Sequence, residues 1–274
     1  MSILISDSQK EQFERDGFLL VKNVLKPEEV DALRKICYDT IESDKKTGTM
    51  FMHRFASNHL GDLVNIPKTK SLILDDRVVG MAEKILGDRV TYFGDSIFEI
   101  GIGSRGFHKD TSNREDQNHP DWTEDYPVIR IAFYLQDHTK HSGGLKVRQG
   151  SHNTVKTNKG KAMFVETEPG DAVIFCLRTS HAGNGVRLKF MPNTSISHIL
   201  EKRVPSFLKL PELDERVSIF LTYGLKSGAL DRYMDFMRNH KIYQQRIEHS
   251  EYPDELVEEI KTKVDFINMK EPVS

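Results

Sequence analysis

The spacing of apolar side chains predicts helices and one short strand over residues 1–88. Apolar residues recur at three- and four-residue intervals along 28–42, which is the pattern of a helix with one buried face. The polar stretch 43–70 lacks such a pattern, and we expect it to be irregular. The predicted elements are a helix from a Ser8/Glu11 capping box to Gly17, a strand over 18–21, a helix over 28–42 after Pro27, and a helix over 72–86 that ends at Gly87.

From Val90 onward, the pattern changes to short apolar runs separated by turns rich in glycine. Runs of this length favour strands. Several of them predict an α+β fold with a mainly β core, a double-stranded β-helix (jelly roll, cupin-like) that N-terminal helices buttress. The predicted strands cover 90–101, 127–136, 144–148, 161–167, 171–177 and 216–224.

We expect the whole chain, 1–274, to form a single domain, because no internal repeat or low-complexity linker divides it. Its expected parts are the helical residues 1–88, a barrel over about 90–226 and a charged helical tail over 228–268. Two polar inserts, 111–126 and 182–213, interrupt the barrel. We interpret them as loops near the mouth of the barrel, the second as a lid.

Composition and charge exclude several classes of protein. The chain has a formal net charge of −2, with 38% hydrophobic and 29% charged residues, a balance compatible with a sizeable core. Such a charge gives no general attraction to nucleic acid, and no apolar run approaches the about 18 residues of a membrane span. The first residues do not resemble a signal peptide, and Cys37 and Cys176 are too few for a disulfide framework. We expect a cytoplasmic protein that binds a small molecule, with neither nucleic acid nor membrane as partner and with its oligomeric state open.

The strongest chemical signal is His108-Lys109-Asp110, followed much later by His181. Residues i and i+2 of an extended segment point the same way, so His108 and Asp110 can bind one metal while Lys109 points elsewhere. Two imidazoles and one carboxylate on one face of Fe(II) leave the opposite positions open. A lone His-x-Asp is a weak signal, and its alternative interpretation is a polar surface loop.

The order of the surrounding segments strengthens the metal interpretation. A Gly-rich turn leads into Gly150-Ser151-His152, then Pro169-Gly170-Asp171 precedes the apolar run that delivers His181, and Arg216 follows in a late strand. Over roughly residues 7–226, this set resembles the phytanoyl-CoA dioxygenase family of Fe(II)/2-oxoglutarate-dependent oxygenases. The resemblance implies His108, Asp110 and His181 as catalytic metal ligands. It also implies Fe(II), 2-oxoglutarate and O₂ as cofactor and co-substrates, with ascorbate as an optional stimulant.

The resemblance also implies an arginine for the distal carboxylate of 2-oxoglutarate. We assign Arg216, with Ser218 as an additional hydroxyl donor, because a strand with inward alternation follows it. The family expectation is a spacing of about eleven residues after the second histidine, whereas here it is 216 − 181 = 35. Arg187 is the nearer alternative, in a Gly-Asn-Gly turn.

The sequence does not name the substrate. Basic residues around the expected mouth favour a small anionic or zwitterionic metabolite, such as an organophosphonate or an amino-acid-like compound. These residues are Arg105, Lys109, Lys146, Arg148, Arg178, Arg187 and Lys189. The alternatives are a CoA thioester, a sugar or a natural product as substrate, an oxygenase acting on protein, and a cupin-like metal-binding protein without oxygenase activity. Trp122 in the first insert either contacts the substrate or merely covers the surface.

Overall fold

The helices surround a β core, as the computed structural model of residues 5–53, 55–102, 106–201 and 203–271 shows. The helices are α1 (Asp7–Asp16), α2 (Pro27–Thr47), α3 (Pro67–Ile73), α4 (Asp76–Leu86), α5 (Pro120–Thr123), α6 (His198–Glu201), α7 (Gly228–Asn239), α8 (Lys241–His249) and α9 (Asp254–Lys263). The strands are β1 (Phe18–Val21), β2 (Met50–His53), β3 (Phe55–His59), β4 (Thr91–Tyr92), β5 (Ser96–Ile102), β6 (Val128–Tyr134), β7 (Gly144–Arg148), β8 (Ala162–Phe164), β9 (Ala172–Cys176), β10 (His181–Gly185), β11 (Val217–Gly224) and β12 (Asp265–Phe266).

Two sheets form the jelly roll that the pattern predicts. The larger has the strand order β1-β9-β6-β11-β5-β3-β2. In addition, β4 pairs with β11, and β12 pairs with β4. The smaller sheet has the order β10-β7-β8. Alternate side chains of β6 divide between two cores. Ile131 and Phe133 pack towards the helices, whereas Ala132 and Tyr134 pack between the sheets against Leu145 of β7. Both faces of the larger sheet are therefore covered, and the space between the two sheets holds the candidate site.

The N-terminal prediction is right in its elements and wrong in its first cap. Helix α1 begins after Ser6, whose side chain accepts from the amide of Gln9 while Gln9 reaches back to the Ser6 amide, so the capping box is not at Ser8 and Glu11. The helix ends at Gly17, whose positive φ of 80° brings its carbonyl oxygen to the Thr179 hydroxyl at 2.7 Å. A side chain at Gly17 would collide with His152 and Thr179.

Three intervals differ from their predictions. The expected irregular stretch 43–70 contains the end of α2, the hairpin of β2 and β3, and the start of α3. Polar residues hid that hairpin, because it forms the edge of the sheet and needs only one apolar face. The single expected strand 90–101 is two strands separated at Gly94, which has a positive φ of 81°. The single expected helix 72–86 is α3 and α4.

The insert 182–213 begins later than expected. Residues up to Gly185 form β10, which pairs with β7, so that His181 lies opposite Val147. The sequence His-Ala-Gly-Asn-Gly has no alternation that would predict a strand, and pairing with β7 holds it extended. The tail over 228–268 is helical as predicted, apart from the short strand β12.

In the described part of the chain, none of the helices is long and apolar enough to cross a membrane.

The lowered pKa values of buried histidines should make the stability of this fold depend on pH. Both ring nitrogens of His138 are buried without a hydrogen-bond partner among the described residues, and burial lowers its pKa to about 4. Below the unfolded-state pKa of about 6.5, the unfolded chain gains a proton that the folded chain does not accept until about pH 4. Burial also lowers the pKa of His181 to about 4 and that of His152. We expect the free energy of unfolding to fall as the pH falls through this window.

The variant His138→Phe isolates one of these contributions, because phenylalanine keeps a ring that can pack on Tyr134 but cannot bind a proton. Urea denaturation between about pH 4 and 7 should show a smaller loss of stability in this variant, by up to about 3 kcal/mol. Equal pH dependence in His138→Phe and the unchanged protein would contradict this prediction.

Candidate metal and co-substrate site

Backbone pairing brings the two candidate histidines together. The amides and carbonyls of His108 and His181 exchange two hydrogen bonds of 2.9 Å, as in an antiparallel ladder. The Asp110 amide donates to the carbonyl of Leu177 at 3.0 Å. The segment that carries His108 and Asp110 is thus extended beside the chain that leads into β10, although it is not a full strand. Two distant pieces of sequence are fixed side by side by main-chain bonds.

The three predicted ligands converge on one point. One ligand atom from each of His108, Asp110 and His181 lies within 4.8 Å of the other two. Nε2 of His108 lies 3.7 Å from Oδ1 of Asp110, and Nε2 of His181 lies 3.5 Å from Oδ2. These separations leave room for an ion between the three groups. The described residues contain this one cluster of candidate metal-binding side chains.

Hydrogen bonds at the far side of each imidazole orient the two rings. Nδ1 of His108 lies 3.0 Å from the carbonyl oxygen of Gly106, and Nδ1 of His181 lies 3.0 Å from that of Thr179. A carbonyl can only accept, so each Nδ1 carries the proton and each Nε2 presents a lone pair. Metal-binding histidines are commonly oriented by such a bond.

The protonation states also suit a cation. Burial lowers the pKa of His181 to about 4, so its ring is neutral near pH 7. Burial alone would raise the pKa of Asp110, but the neighbouring His181, Arg130 and His108 hold it well below its usual range. The cluster therefore offers two imidazoles and one carboxylate, a donor set that suits ferrous iron with open positions.

Lys109 points away from the ligands, as the i and i+2 alternation predicts. Its ammonium group donates to the carbonyls of Ser151 at 2.7 Å and Arg178 at 2.5 Å. It also lies 5.2 Å from the ring centroid of Trp122. Burial lowers the pKa of Lys109 to about 7. Lys109 therefore joins the Gly-Ser-His turn to the chain before His181, which is a structural role.

Arg130 holds the orientation of Asp110, and the sequence analysis did not identify it. Nη1 of Arg130 donates to Oδ2 of Asp110 at 2.5 Å, while Nη2 donates to Oδ2 of Asp95 at 2.8 Å. Its Nε donates to the hydroxyl of Thr222 at 3.1 Å. Oδ1 of Asp110 has no hydrogen-bond partner among the described residues and faces the imidazole of His108. An arginine within the otherwise apolar strand Val-Ile-Arg-Ile-Ala-Phe-Tyr was the available signal.

Asp95 extends this network to the C-terminal helices. It accepts from the hydroxyl of Tyr233 in α7 at 3.1 Å and from Arg246 in α8 at 3.4 Å. Arg246 also donates to the carbonyl oxygen of Ser96 at 2.5 Å. Asp95 is fully buried and stands just before β5, where Gly94 interrupts the apolar pattern. The candidate metal ligand Asp110 is thereby joined to the helical tail through two arginines and one aspartate.

Arg216 lies in the same cavity as the three predicted ligands, immediately before β11. It is 6% exposed, and only its Nη2 has a carboxylate partner, Glu99 at 3.2 Å. Its Nε and Nη1 are buried without a partner among the described residues. Gly183 makes room for it, because a Cβ there would lie 2.6 Å from Nη1 of Arg216. A buried guanidinium with unused donors fits a missing carboxylate ligand.

Ser218 is fully buried in β11, and its hydroxyl also lacks a partner among the described residues. It does not itself line the cavity, so its predicted contact with a co-substrate remains a prediction.

The alternative arginine, Arg187, is already fully engaged. Its Nη1 donates to the carbonyls of His138 at 2.9 Å and Thr139 at 2.7 Å, and its Nη2 forms an ion pair with Glu166. Its Nε donates to the carbonyl of Pro192 at 3.3 Å. Arg187 does not line the cavity. Through these contacts, Arg187 anchors the start of the second insert to the barrel.

The expected basic mouth is absent from the cavity lining of the described residues. Lys146 forms a buried pair with Glu201 at 2.6 Å, and Arg178 binds the carbonyl of Asp121 at 2.8 Å. Of the other basic residues in that prediction, Lys109, Arg148, Arg187 and Lys189 also lie outside the lining, and Arg105 lies outside the described residues. Trp122 contacts Lys109 and Arg178 and does not reach the cavity. The prediction failed because five of these cations bind local carbonyls or carboxylates, namely Lys109, Lys146, Arg148, Arg178 and Arg187.

The cavity has a volume of about 690 Å³, and three parts of the chain enclose it. The barrel contributes the candidate ligands, Tyr134, Phe175 and Arg216. The first insert contributes residues 112–115, and the tail contributes residues of α7 and α8. Gly183 of β10 also reaches the lining, whereas none of the described residues after β10 in the second insert does. The expectation of a lid therefore fits the first insert and the tail better than 182–213.

Comparison with known proteins agrees with this architecture. The sequence profile of the family described as phytanoyl-CoA dioxygenase (PhyH) matches residues 13–187. An ectoine dioxygenase of Nocardia farcinica is 27% identical over 157 residues, which cover 55% of this chain and 52% of that protein. The chain thus spans about half the length of the curated relative that it matches.

Solved structures show the same fold at low sequence identity. The crystal structure of EctD from S. alaskensis with bound Fe has a TM-score of 0.58 and 19% identity, and the match covers 82% of this chain and 78% of that one. HygX from Streptomyces hygroscopicus, with nickel and 2-oxoglutarate bound, has a TM-score of 0.59 and 15% identity, and the match covers 81% and 88%. At such identities the likeness is one of fold.

Proposed function

The chain belongs to the phytanoyl-CoA dioxygenase family, and on this premise we propose that it is an Fe(II)- and 2-oxoglutarate-dependent dioxygenase. In this proposal it hydroxylates a small polar metabolite and releases succinate and CO₂. The observation that carries the proposal is the pairing of two features in one cavity. A two-histidine, one-carboxylate cluster shares the cavity with a buried arginine whose Nε and Nη1 lack a partner among the described residues.

His108, Asp110 and His181 are the proposed iron ligands. The two Nε2 lone pairs and the free Oδ1 of Asp110 support this assignment, because they face one another and are held by bonds on their far sides. When bound there, iron would supply the activation of O₂ that organic side chains cannot provide. The three side chains would hold the ion in a fixed arrangement, and its remaining coordination positions would be open to exchangeable ligands.

Arg216 is the proposed partner of the distal carboxylate of 2-oxoglutarate, with the hydroxyl of Ser218 as a second donor. The Nε and Nη1 of Arg216 support this role, because both are buried donors without an acceptor among the described residues, and a carboxylate is an acceptor that a guanidinium binds strongly. Tyr134 also lines the cavity, and its ring centroid lies 5.8 Å from the guanidinium of Arg216. This arrangement would orient the co-substrate with its other end towards the metal ligands.

The carboxylate at Asp110 favours hydroxylation over halogenation, because a halide would need the coordination position that Asp110 occupies. A cupin-like binding protein without oxygenase activity has no use for a buried guanidinium beside its metal ligands. The relatives named ectoine dioxygenase and the size of the cavity support a small zwitterionic or anionic substrate. A CoA thioester, a sugar or a natural product is the alternative substrate class.

The proposal predicts succinate release that requires both iron and 2-oxoglutarate. The protein is loaded anaerobically with Fe(II) and 2-oxoglutarate and exposed to air with a metabolite panel, and succinate is quantified. We expect slow uncoupled release without substrate and faster release with the correct one. Absence of succinate under all conditions, together with failure to bind iron, would refute the proposed activity.

A further inference from the structure

One wall of the cavity belongs to the tail, beyond residue 187 where the family match ends. Phe236 of α7 lines it, as do His240, Ile242, Tyr243 and Arg246 at the start of and within α8. These helices contribute none of the candidate metal ligands and neither of the candidate co-substrate residues. What they add is a surface in the same cavity as the candidate metal cluster.

The arginines that line the cavity differ in their partners. Arg130, Arg216 and Arg246 each pair with a buried or half-buried carboxylate. Arg114, in the first insert, has no carboxylate partner among the described residues. Its Nε donates to the carbonyl of Thr111 at 3.2 Å, which fixes the plane of the guanidinium and leaves both Nη atoms free. Its charge is therefore available to a ligand.

The adjacent residue supplies a charge of opposite sign. Glu115 also lines the cavity, and its carboxylate has no partner among the described residues. A guanidinium and a carboxylate, each without an ion-pair partner in the described part of the chain, thus belong to adjacent residues that line one cavity. Together they complement a molecule that carries both an oxyanion and a cationic nitrogen.

One of three clustered aromatic rings of the tail lies near Arg114. The rings of Phe236, His240 and Tyr243 form a mutual cluster with centroid separations of 5.4 to 5.9 Å. The guanidinium of Arg114 lies 5.9 Å from the centroid of Phe236, so this ring supports the arginine from one side. The cluster offers apolar surface to the carbon skeleton of a ligand.

We propose that Arg114 and Glu115, backed by the aromatic cluster Phe236, His240 and Tyr243, form the substrate site and select a small zwitterion. Arg114 binds the carboxylate or phosphonate of this substrate through its free Nη atoms, and Glu115 binds its ammonium or iminium group. The inference rests on the proposed dioxygenase function, because it places the substrate beside the candidate metal ligands. It adds the class of substrate and the residues that recognise it.

The test uses the full-length protein loaded with Ni(II) and 2-oxoglutarate, which cannot turn over, and isothermal titration calorimetry. The probes are three zwitterions (ectoine, proline and 2-aminoethylphosphonate) and proline amide, which lacks the oxyanion. We expect at least one zwitterion to bind, and proline amide to bind more weakly than proline wherever proline binds. Arg114→Gln should weaken that binding by roughly tenfold or more, and Arg114→Lys by less. Glu115→Gln should weaken it in the same direction.

Arg203→Gln is the matched control, because Arg203 is exposed in the second insert and does not line the cavity. It should bind the zwitterion as the unchanged protein does. The control variant should also keep 2-oxoglutarate binding and uncoupled succinate release by the iron form. If 2-oxoglutarate binds but no zwitterion does, or if Arg114→Gln binds the zwitterion unchanged, this inference is wrong while the dioxygenase proposal stands. If the unchanged protein does not bind 2-oxoglutarate, the proposed dioxygenase function itself is wrong.

Discussion

Replacing Asp110 by alanine is expected to abolish iron retention and to lower substrate-dependent turnover by more than about 100-fold. Removing a residue that merely hydrogen-bonds to a metal ligand already lowers metal affinity or activity by about 10- to 100-fold, and loss of a ligand itself should cost more. The change removes the one carboxylate of the cluster and leaves two imidazoles, too few donors to hold Fe(II) on one face. Arg130 keeps its bond to Asp95, so no buried charge is left wholly unpaired and the barrel should still fold. Iron content after desalting and the far-ultraviolet circular dichroism spectrum measure the two effects separately. We expect the same result for His108→Ala and His181→Ala.

Asp171→Ala is a suitable control for the ligand variants. Asp171 is also buried, and it accepts from the ammonium of Lys22 and the amide of Asn23, far from the cavity lining. Its loss should lower stability without changing the iron content of the folded protein. Stoichiometric iron in Asp110→Ala, with full activity, would overturn the ligand assignment.

Replacing Arg216 by alanine is expected to raise the KM for 2-oxoglutarate by at least about 30-fold, which corresponds to roughly 2 kcal/mol for losing one partner of a buried, hydrogen-bonded charge pair. The Nε and Nη1 of Arg216 have no partner among the described residues, so we expect them to contribute to co-substrate binding and not to contacts within the protein. Arg216→Lys should recover part of the affinity, because it keeps the charge but not the planar fork. Uncoupled succinate release as a function of 2-oxoglutarate concentration gives the KM directly.

Arg187→Ala is the matched control, since Arg187 is as deeply buried as Arg216 but is saturated by protein carbonyls and Glu166. Its removal leaves those acceptors unpaired, so it should lower the free energy of unfolding and leave the KM of the folded fraction unchanged. A large rise in KM for Arg187→Ala, with little effect from Arg216→Ala, would show that the co-substrate arginine was misassigned.

Alternation and turn residues predicted most of the barrel because its strands are buried on at least one face. The strand over 18–21 and the buried run that forms β9 follow that rule. The edge hairpin of β2 and β3 and the strand β10 do not, since pairing with neighbours and not apolar alternation holds them extended. Such strands are determined by the rest of the sheet and leave little trace in their own residues.

The candidate metal cluster could be predicted because His108 and Asp110 are separated by one residue, and the turn before His181 is distinctive. The charges that hold Asp110 were not, because Asp95, Arg130 and Arg246 come from three separated segments that only the fold brings together. Basic residues near a site in the sequence, such as Lys109 and Lys146, proved to be bound locally. For a charged residue, the partner decides the role, and the partner is a property of the tertiary structure.

The pairing of β1 with β9 has a consequence for how the chain folds. Phe18 lies opposite Phe175, a separation of 175 − 18 = 157 residues, and every residue of β9 is buried. Pairs this distant in sequence form slowly, since a long loop must close before the contact stabilises anything. Before β1 pairs with it, β9 is an apolar edge strand whose unpaired backbone amides and carbonyls can pair with the same strand of another molecule. The yield of refolded protein should therefore fall through aggregation as the protein concentration rises, and the fall should be greatest for variants shortened past residue 21.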